Sequence, residues 1–160
     1  NLYEEYWKIY TQTDNAAPQY VSTNSHVERS IIAEGCEIHG EIYNSVIGPG
    51  VTVEHGAVIV NSIIMENTVI GENTHIDQAV VAENVTIGNA CTIGTGEYQE
   101  SGYDSRVYCS NLVTIGENSR IPDGVRVGRN TAIFGTTVLS DYPDGLLSSG
   151  GAIIREEERA

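Results

Sequence analysis

Imidazole does acid–base work near neutral pH and is the commonest metal ligand. The four histidines of this 160-residue chain, His26, His39, His55 and His75, therefore come first. A zinc centre needs three of them to converge, and its ligands usually include a close pair in sequence. Here the nearest two, His26 and His39, stand 13 residues apart. His75, next to Ile76, is the best placed to serve as a general base. The expectation for each histidine is an outward position on a surface strand, with no stacking between them. Cys36, Cys91 and Cys109 are odd in number and lack C-x-x-C spacing, so neither a disulfide framework nor a zinc site is expected. Reduced thiols in a cytoplasm are the simplest reading. "GTGEYQESG" (94–102) contains glycine but opens no helix, and no phosphate-binding loop motif occurs.

The cations matter because they are scarce. Lys and Arg total 8 against 22 Asp and Glu, a net charge of −14. That balance argues against nucleic acid and anionic membrane surfaces as partners. No apolar run of membrane-spanning length occurs. Arg120, Arg126 and Arg129 nevertheless cluster. Guanidinium suits phosphate, so these three are candidate effector-binding residues for an anionic sugar phosphate or nucleotide. The competing reading pairs them with Glu117 and its like as rungs of a surface ladder.

These residues are carried on a repeat. "NSVIGPGVTVEHGAVIV" (44–60), "NSIIMENTVIGENTHID" (61–77) and "QAVVAENVTIGNACTIG" (78–94) align at a period of 17. Ile47, Ile64 and Val81 form one aliphatic column. Val53, Ile70 and Ile87 form a second, and Ile59, Ile76 and Ile93 a third. Two residues before each stands a small or β-branched side chain: Val51, Thr68 and Val85; Ala57, Thr74 and Cys91; Ser45, Ser62 and Ala79. In an extended chain residues two apart share a face, so each unit is a short strand with two inward side chains. Three residues after the aliphatic come Gly50, Gly56, Asn67, Asn73, Asn84, Asn118, Gly124 and Asn130, the types that tolerate positive φ. Ala90 stands at the same place as the exception. Cys36 and Cys91 fall at small inward positions and Cys109 does not.

Three strands and three corners per turn describe an all-β, triangular, parallel β-helix of the hexapeptide-repeat type. The spacing resumes at Ile115, Ile121, Val127 and Ile133, and Ile32 and Ile38 form an irregular first coil. About five coils are expected between 25 and 140. The off-register segment 95–111, with Tyr98, Tyr103 and Tyr108, is a loop insertion able to touch a partner. Residues 1–24, rich in Tyr and holding Trp7, read as a linker that packs along or over the helix. Residues 141–160 read as a C-terminal cap and tail, with Ile153 and Ile154 as the last buried strand. The chain lacks an initial Met and reads as a piece of something longer.

Two stretches carry a family resemblance: "NLYEEYWKIYT…PQYVS" and "SIIAEGCEIHGEIYNSVIGPGVTVEHGAVIVNSIIM". The order of Trp7, Pro18, Glu34-Gly35-Cys36, Asn44-Ser45-Val46 and Ser62-Ile63-Ile64-Met65 resembles the C-terminal region of bacterial ADP-glucose pyrophosphorylase (glucose-1-phosphate adenylyltransferase). Pro18 is a single proline where that family often has two. The resemblance implies that the helix is left-handed. It implies a parent enzyme that makes ADP-glucose and pyrophosphate from ATP and glucose 1-phosphate, with Mg²⁺, for glycogen biosynthesis. It places the catalytic residues and the metal in a domain absent here, so no cofactor is expected in this chain. The role implied is oligomerisation and allosteric regulation, inactive alone, in the cytoplasm. The implied partners are the chain's own catalytic domain and further copies, as dimer or tetramer. Alternatives are a hexapeptide-repeat acyltransferase, or the same domain of another sugar-nucleotide pyrophosphorylase or a non-catalytic paralogue.

Overall fold

The structure is a computed structural model and describes residues 16–155. The linker residues before Ala16, Trp7 among them, and the last five residues of the tail lie outside the described residues. Three parallel sheets wrap one core. The first stacks Tyr20–Val21, Glu37–Ile38, Thr52–Val53, Val69–Ile70, Thr86–Ile87 and Arg120–Ile121. The second stacks His26–Glu28, Glu41–Tyr43, Val58–Val60, His75–Asp77, Thr92–Thr95, Arg126–Gly128 and Leu146–Leu147. The third stacks Ile31–Ile32, Val46–Ile47, Ile63–Ile64, Ala79–Val81, Val113–Ile115, Ala132–Phe134 and Ala152–Ile154. The chain visits them in rotation, so the fold is a parallel β-helix.

The stack is longer than the five coils expected. The first sheet has six strands and the other two have seven, and strands occur on both sides of the 25–140 span. Both termini of the described chain continue the register, because Tyr20 pairs with Glu37 and Ile133 with Ile153. Ile153 is half-buried against the core. Ile154, expected inside, is 38% exposed, because it points outward from its strand.

The aliphatic columns are as the repeat requires. Ile70 pairs in register with Val53 on one side and Ile87 on the other, and all three are buried. Each such side chain removed from water contributes about 1.5–3 kcal/mol, and parallel stacking repeats that gain at every coil.

The corners carry positive φ throughout. Asn67, Asn73, Asn84, Asn118 and Asn130 lie between +54° and +57°. Ala90 is no exception, because its φ is +52°; the stack imposes the corner on a residue that does not favour it. A third corner column appears at Arg29, Asn44, Asn61 and Gln78, all with positive φ. It follows the aliphatic by two residues rather than three.

The small inward residues do more than fill space. Thr74 Oγ1 accepts the Cys91 N–H at 3.1 Å and donates to the Gly88 carbonyl at 2.7 Å. Ser45 Oγ accepts from the Ser62 N–H, and Ser62 Oγ accepts from the Ala79 N–H, both at 3.1 Å. These hydroxyls satisfy backbone groups that a corner withdraws from the ladder. Cys36 and Cys91 extend the pattern, their thiols lying 3.1 Å and 3.2 Å from the carbonyls of Gly48 and Pro122. Burial pushes both thiols up from their ordinary pKa, which keeps them protonated as donors.

Replacing Ile70 with Ala removes the middle of one column and should cost about 2–5 kcal/mol in a urea titration. A loss near zero would contradict the register.

Candidate functional site

Among the described residues the buried titratable groups are Cys36, Cys91 and Tyr142, each hydrogen-bonded within the helix. Among the described residues no three His, Cys, Asp or Glu side chains group to hold a metal ion.

The histidines do not stay apart as expected. The rings of His39 and His55 lie 4.8 Å between centroids, and Tyr20 lies 5.7 Å from His39. The cause is a short coil. Ile38 pairs with Val53, two residues less than the step from Val53 to Ile70. Gly40 permits the shortcut, because a Cβ there would overlap the Ala57 carbonyl oxygen. His26 packs on Tyr43 at 5.3 Å. His75 is exposed in the second sheet, flanked by Val58 and Thr92.

The three arginines separate. Arg120 points outward from the first sheet and Arg126 from the second, on either side of one corner, and both are exposed. Neither pairs with Glu117 or with any other carboxylate among the described residues. Arg129 is different. Its guanidinium bonds Asp77 Oδ2 at 3.0 Å, the Gly96 carbonyl at 3.1 Å, and Gln78 Oε1. Its side chain is only 21% exposed, so its donors are already committed within the chain.

That cluster anchors the loop. The chain leaves the second sheet after Thr95 and rejoins the third at Val113. The departure needs Gly94, at φ +86°, where a Cβ would overlap the Asp77 carbonyl oxygen. Arg129 holds the exit through Gly96, while Asn111 Nδ2 donates to the same Gln78 Oε1 at 3.2 Å on return. Buried Asn130 donates to the Gln99 carbonyl at 2.8 Å, and the Gly102 N–H to Gly150 at 3.0 Å. Below the loop the column continues, with Asn61 donating to Asp77 and Asn44 to Asn61. Beyond these anchors Tyr98, Tyr103 and Val107 are exposed at 49%, 57% and 64%. Cys109 is exposed there too.

The third sheet presents another surface. Its outward residues pair in register as Ile31, Val46, Ile63 and Val80, an aliphatic stripe across four coils. Ile63 is 44% and Met65 39% exposed. A shallow groove of about 370 Å³ runs between Val46, Pro49, Ile63 and Met65, with Glu66 and Glu83 on its rim. In the other two sheets the equivalent columns mix polar and apolar residues, as Tyr20, Glu37, Thr52, Val69 and Thr86, or Glu41, Val58, His75 and Thr92. Only in the third sheet are four consecutive outward positions aliphatic without interruption.

A family profile described as GlmU-like, C-terminal hexapeptide matches residues 16–112. The chain belongs to that family. Within the GlmU-like hexapeptide family, the match to some curated relatives spans nearly the whole chain. The glucose-1-phosphate adenylyltransferase of Lachnospira eligens is 58% identical over 97% of this chain, and that of Thermotoga maritima 48% over 99%. The chain spans only 37% of the length of each. Among solved structures, the acetyltransferase domain of PglB from Neisseria gonorrhoeae with acetyl coenzyme A aligns over 88% of this chain and 51% of its own. Its TM-score is 0.51 at 17% identity, a likeness of fold. No helix among the described residues is long and apolar enough to cross a membrane.

Removing the Arg129 guanidinium with Arg129→Met should loosen the loop. One charge-assisted hydrogen bond is worth about 1.5 kcal/mol, which raises the open population about ten-fold. Trypsin should then cut at Arg106 faster by that order, while the far-ultraviolet spectrum is unchanged. Equal cleavage rates would contradict the anchoring role.

Proposed function

We propose that this chain is the β-helix part of a glucose-1-phosphate adenylyltransferase, and that it assembles and regulates the enzyme rather than making bonds. The observation that carries the reading is its near-complete match to relatives of that name, of which it spans little more than a third. The geometry agrees: the inward polar groups are spent on backbone hydrogen bonds, and the distinctive surfaces are apolar or aromatic. The reaction of the parent, in which ATP and glucose 1-phosphate give ADP-glucose and pyrophosphate for glycogen biosynthesis, takes place in a domain outside this chain, where Mg²⁺ is bound.

In this proposal the Ile31–Val46–Ile63–Val80 stripe receives the chain's own catalytic domain, and the loop tyrosines meet a second copy in a dimer or tetramer. Arg120 and Arg126, exposed and unpaired with carboxylates among the described residues, are the residues that would attract an anionic sugar phosphate or nucleotide. Arg129 is held by Asp77 and drops out of that role. An acyltransferase role would need its base held by an orienting group, and among the described residues exposed His75 has no side-chain hydrogen bond.

The test is a chimera. The missing portion of the Lachnospira eligens relative, joined ahead of this chain, should make ADP-glucose, while this chain alone with ATP, glucose 1-phosphate and Mg²⁺ should make none. Turnover by the chain alone, or a chimera that folds but neither assembles nor turns over, would overturn the proposal.

A further inference from the structure

The short coil leaves a gap in one corner of the stack. From the first sheet to the second, inward residues are normally six apart, as from Val21 to Val27, Val53 to Ile59 and Ile70 to Ile76. From Ile38 to Ile42 they are only four apart. The coils on either side keep full corners, so the short coil falls back between them.

The hydrogen bonds mark this gap. At the full corners the positive-φ residue donates its N–H to the preceding coil. Asn73 donates to the His55 carbonyl at 3.0 Å, Ala90 to Glu72 at 2.8 Å and Gly124 to Asn89 at 2.8 Å. The equivalent N–H of Gly56, at φ +71°, has no acceptor among the described residues. The short coil has no residue at that place to accept it.

Two imidazoles border the gap. His39 is half-buried on the short coil, and His55 is exposed on the corner that follows. Their ring centroids are 4.8 Å apart and their planes 44° from parallel. Neither ring makes a hydrogen bond or an ion pair among the described residues, so the ring nitrogens are uncommitted. The charged residues around them are acidic: Glu37 and Glu41 on either side of His39, Glu54 before His55, and Glu72 on the next corner. A field of that sign draws in a cation, and imidazole suits zinc, nickel and copper. The spacing fits as well. A metal–nitrogen bond of about 2.0–2.1 Å, at an angle between a right angle and the tetrahedral one, sets two ligating ring centroids about 4.5–5.2 Å apart. We propose that His39 and His55 together hold one divalent cation of the zinc, nickel or copper class. No third His, Cys, Asp or Glu joins them among the described residues, so water fills the remaining positions. The Gly56 N–H, next to His55 in the chain, is free to hydrogen-bond one of these waters. The ion ties two coils together where a corner is missing. The proposal rests on the short coil and not on the enzymatic reading above.

The test is a calorimetric titration with zinc chloride. The 160-residue chain should carry Cys109→Ser, which removes an exposed thiol as a competing ligand. One saturable site per chain is expected. His39→Asn and His55→Asn should each weaken binding at least about ten-fold, with the far-ultraviolet spectrum unchanged. His75→Asn, in the second sheet, should leave it unchanged. Mg²⁺, which takes oxygen ligands, should not displace the zinc. The imidazole NMR signals of His39 and His55 should move together on zinc addition while that of His75 stays, a reading that needs no histidine variant to fold. Binding unchanged in both variants, binding lost with His75→Asn instead, zinc displaced by an equal concentration of Mg²⁺, or static His39 and His55 signals would overturn the proposal.

Discussion

The structure depends on its corners. Three times per coil the backbone must turn through left-handed φ, a conformation that costs a residue with a Cβ about 1–2 kcal/mol. Each corner also draws backbone groups away from the regular ladder, where an unmet N–H or C=O would be buried. The first cost is reduced by Asn and Gly at most corners and offset by the aliphatic side chain each intervening strand puts into the core. The second is met by Ser, Thr and Cys at the small inward positions, whose side chains bond the neighbouring coil. Ala90 shows the balance: an ill-suited residue adopts φ +52° because the coils around it leave no alternative.

This constraint shapes what the molecule can do. Among the described residues the inward Ser, Thr and Cys side chains at the corners, Ser45, Ser62, Thr68, Thr74, Cys36 and Cys91, are engaged in holding the backbone. Raised thiol pKa values at Cys36 and Cys91 keep both protonated, whereas the thiolate is the reactive form. The described surface presents a stripe of aliphatics on one face, a loop of exposed tyrosines on one edge and two exposed arginines beside one corner.

Much of the fold could be read from residue order, since identical coils force identical residue types into columns. Ile47, Ile70 and Ile76 fell where a 17-residue period puts them. What escaped were departures from the period. The Arg29–Asn44–Asn61–Gln78 corner follows a shorter spacing and so did not align with the other two. The His39–His55 contact arises because one coil is two residues short, which changes which side chains are neighbours. The binding of Arg129 to Asp77 and Gln78 joins residues some fifty positions apart across an inserted loop, and no local pattern announces it. The outer stripe was readable in principle, since Ile31, Val46, Ile63 and Val80 each stand one residue before an inward aliphatic.

The claim that the corners are as firmly held as the strands can be tested by amide hydrogen exchange resolved to single residues. The N–H groups of Ser62, Ala79, Val85 and Cys91, each bonded to a side chain on the neighbouring coil, should exchange as slowly as the strand amides of Ile70 and Ile76. Exchange at these four positions as fast as in the loop around Tyr103 would contradict the account.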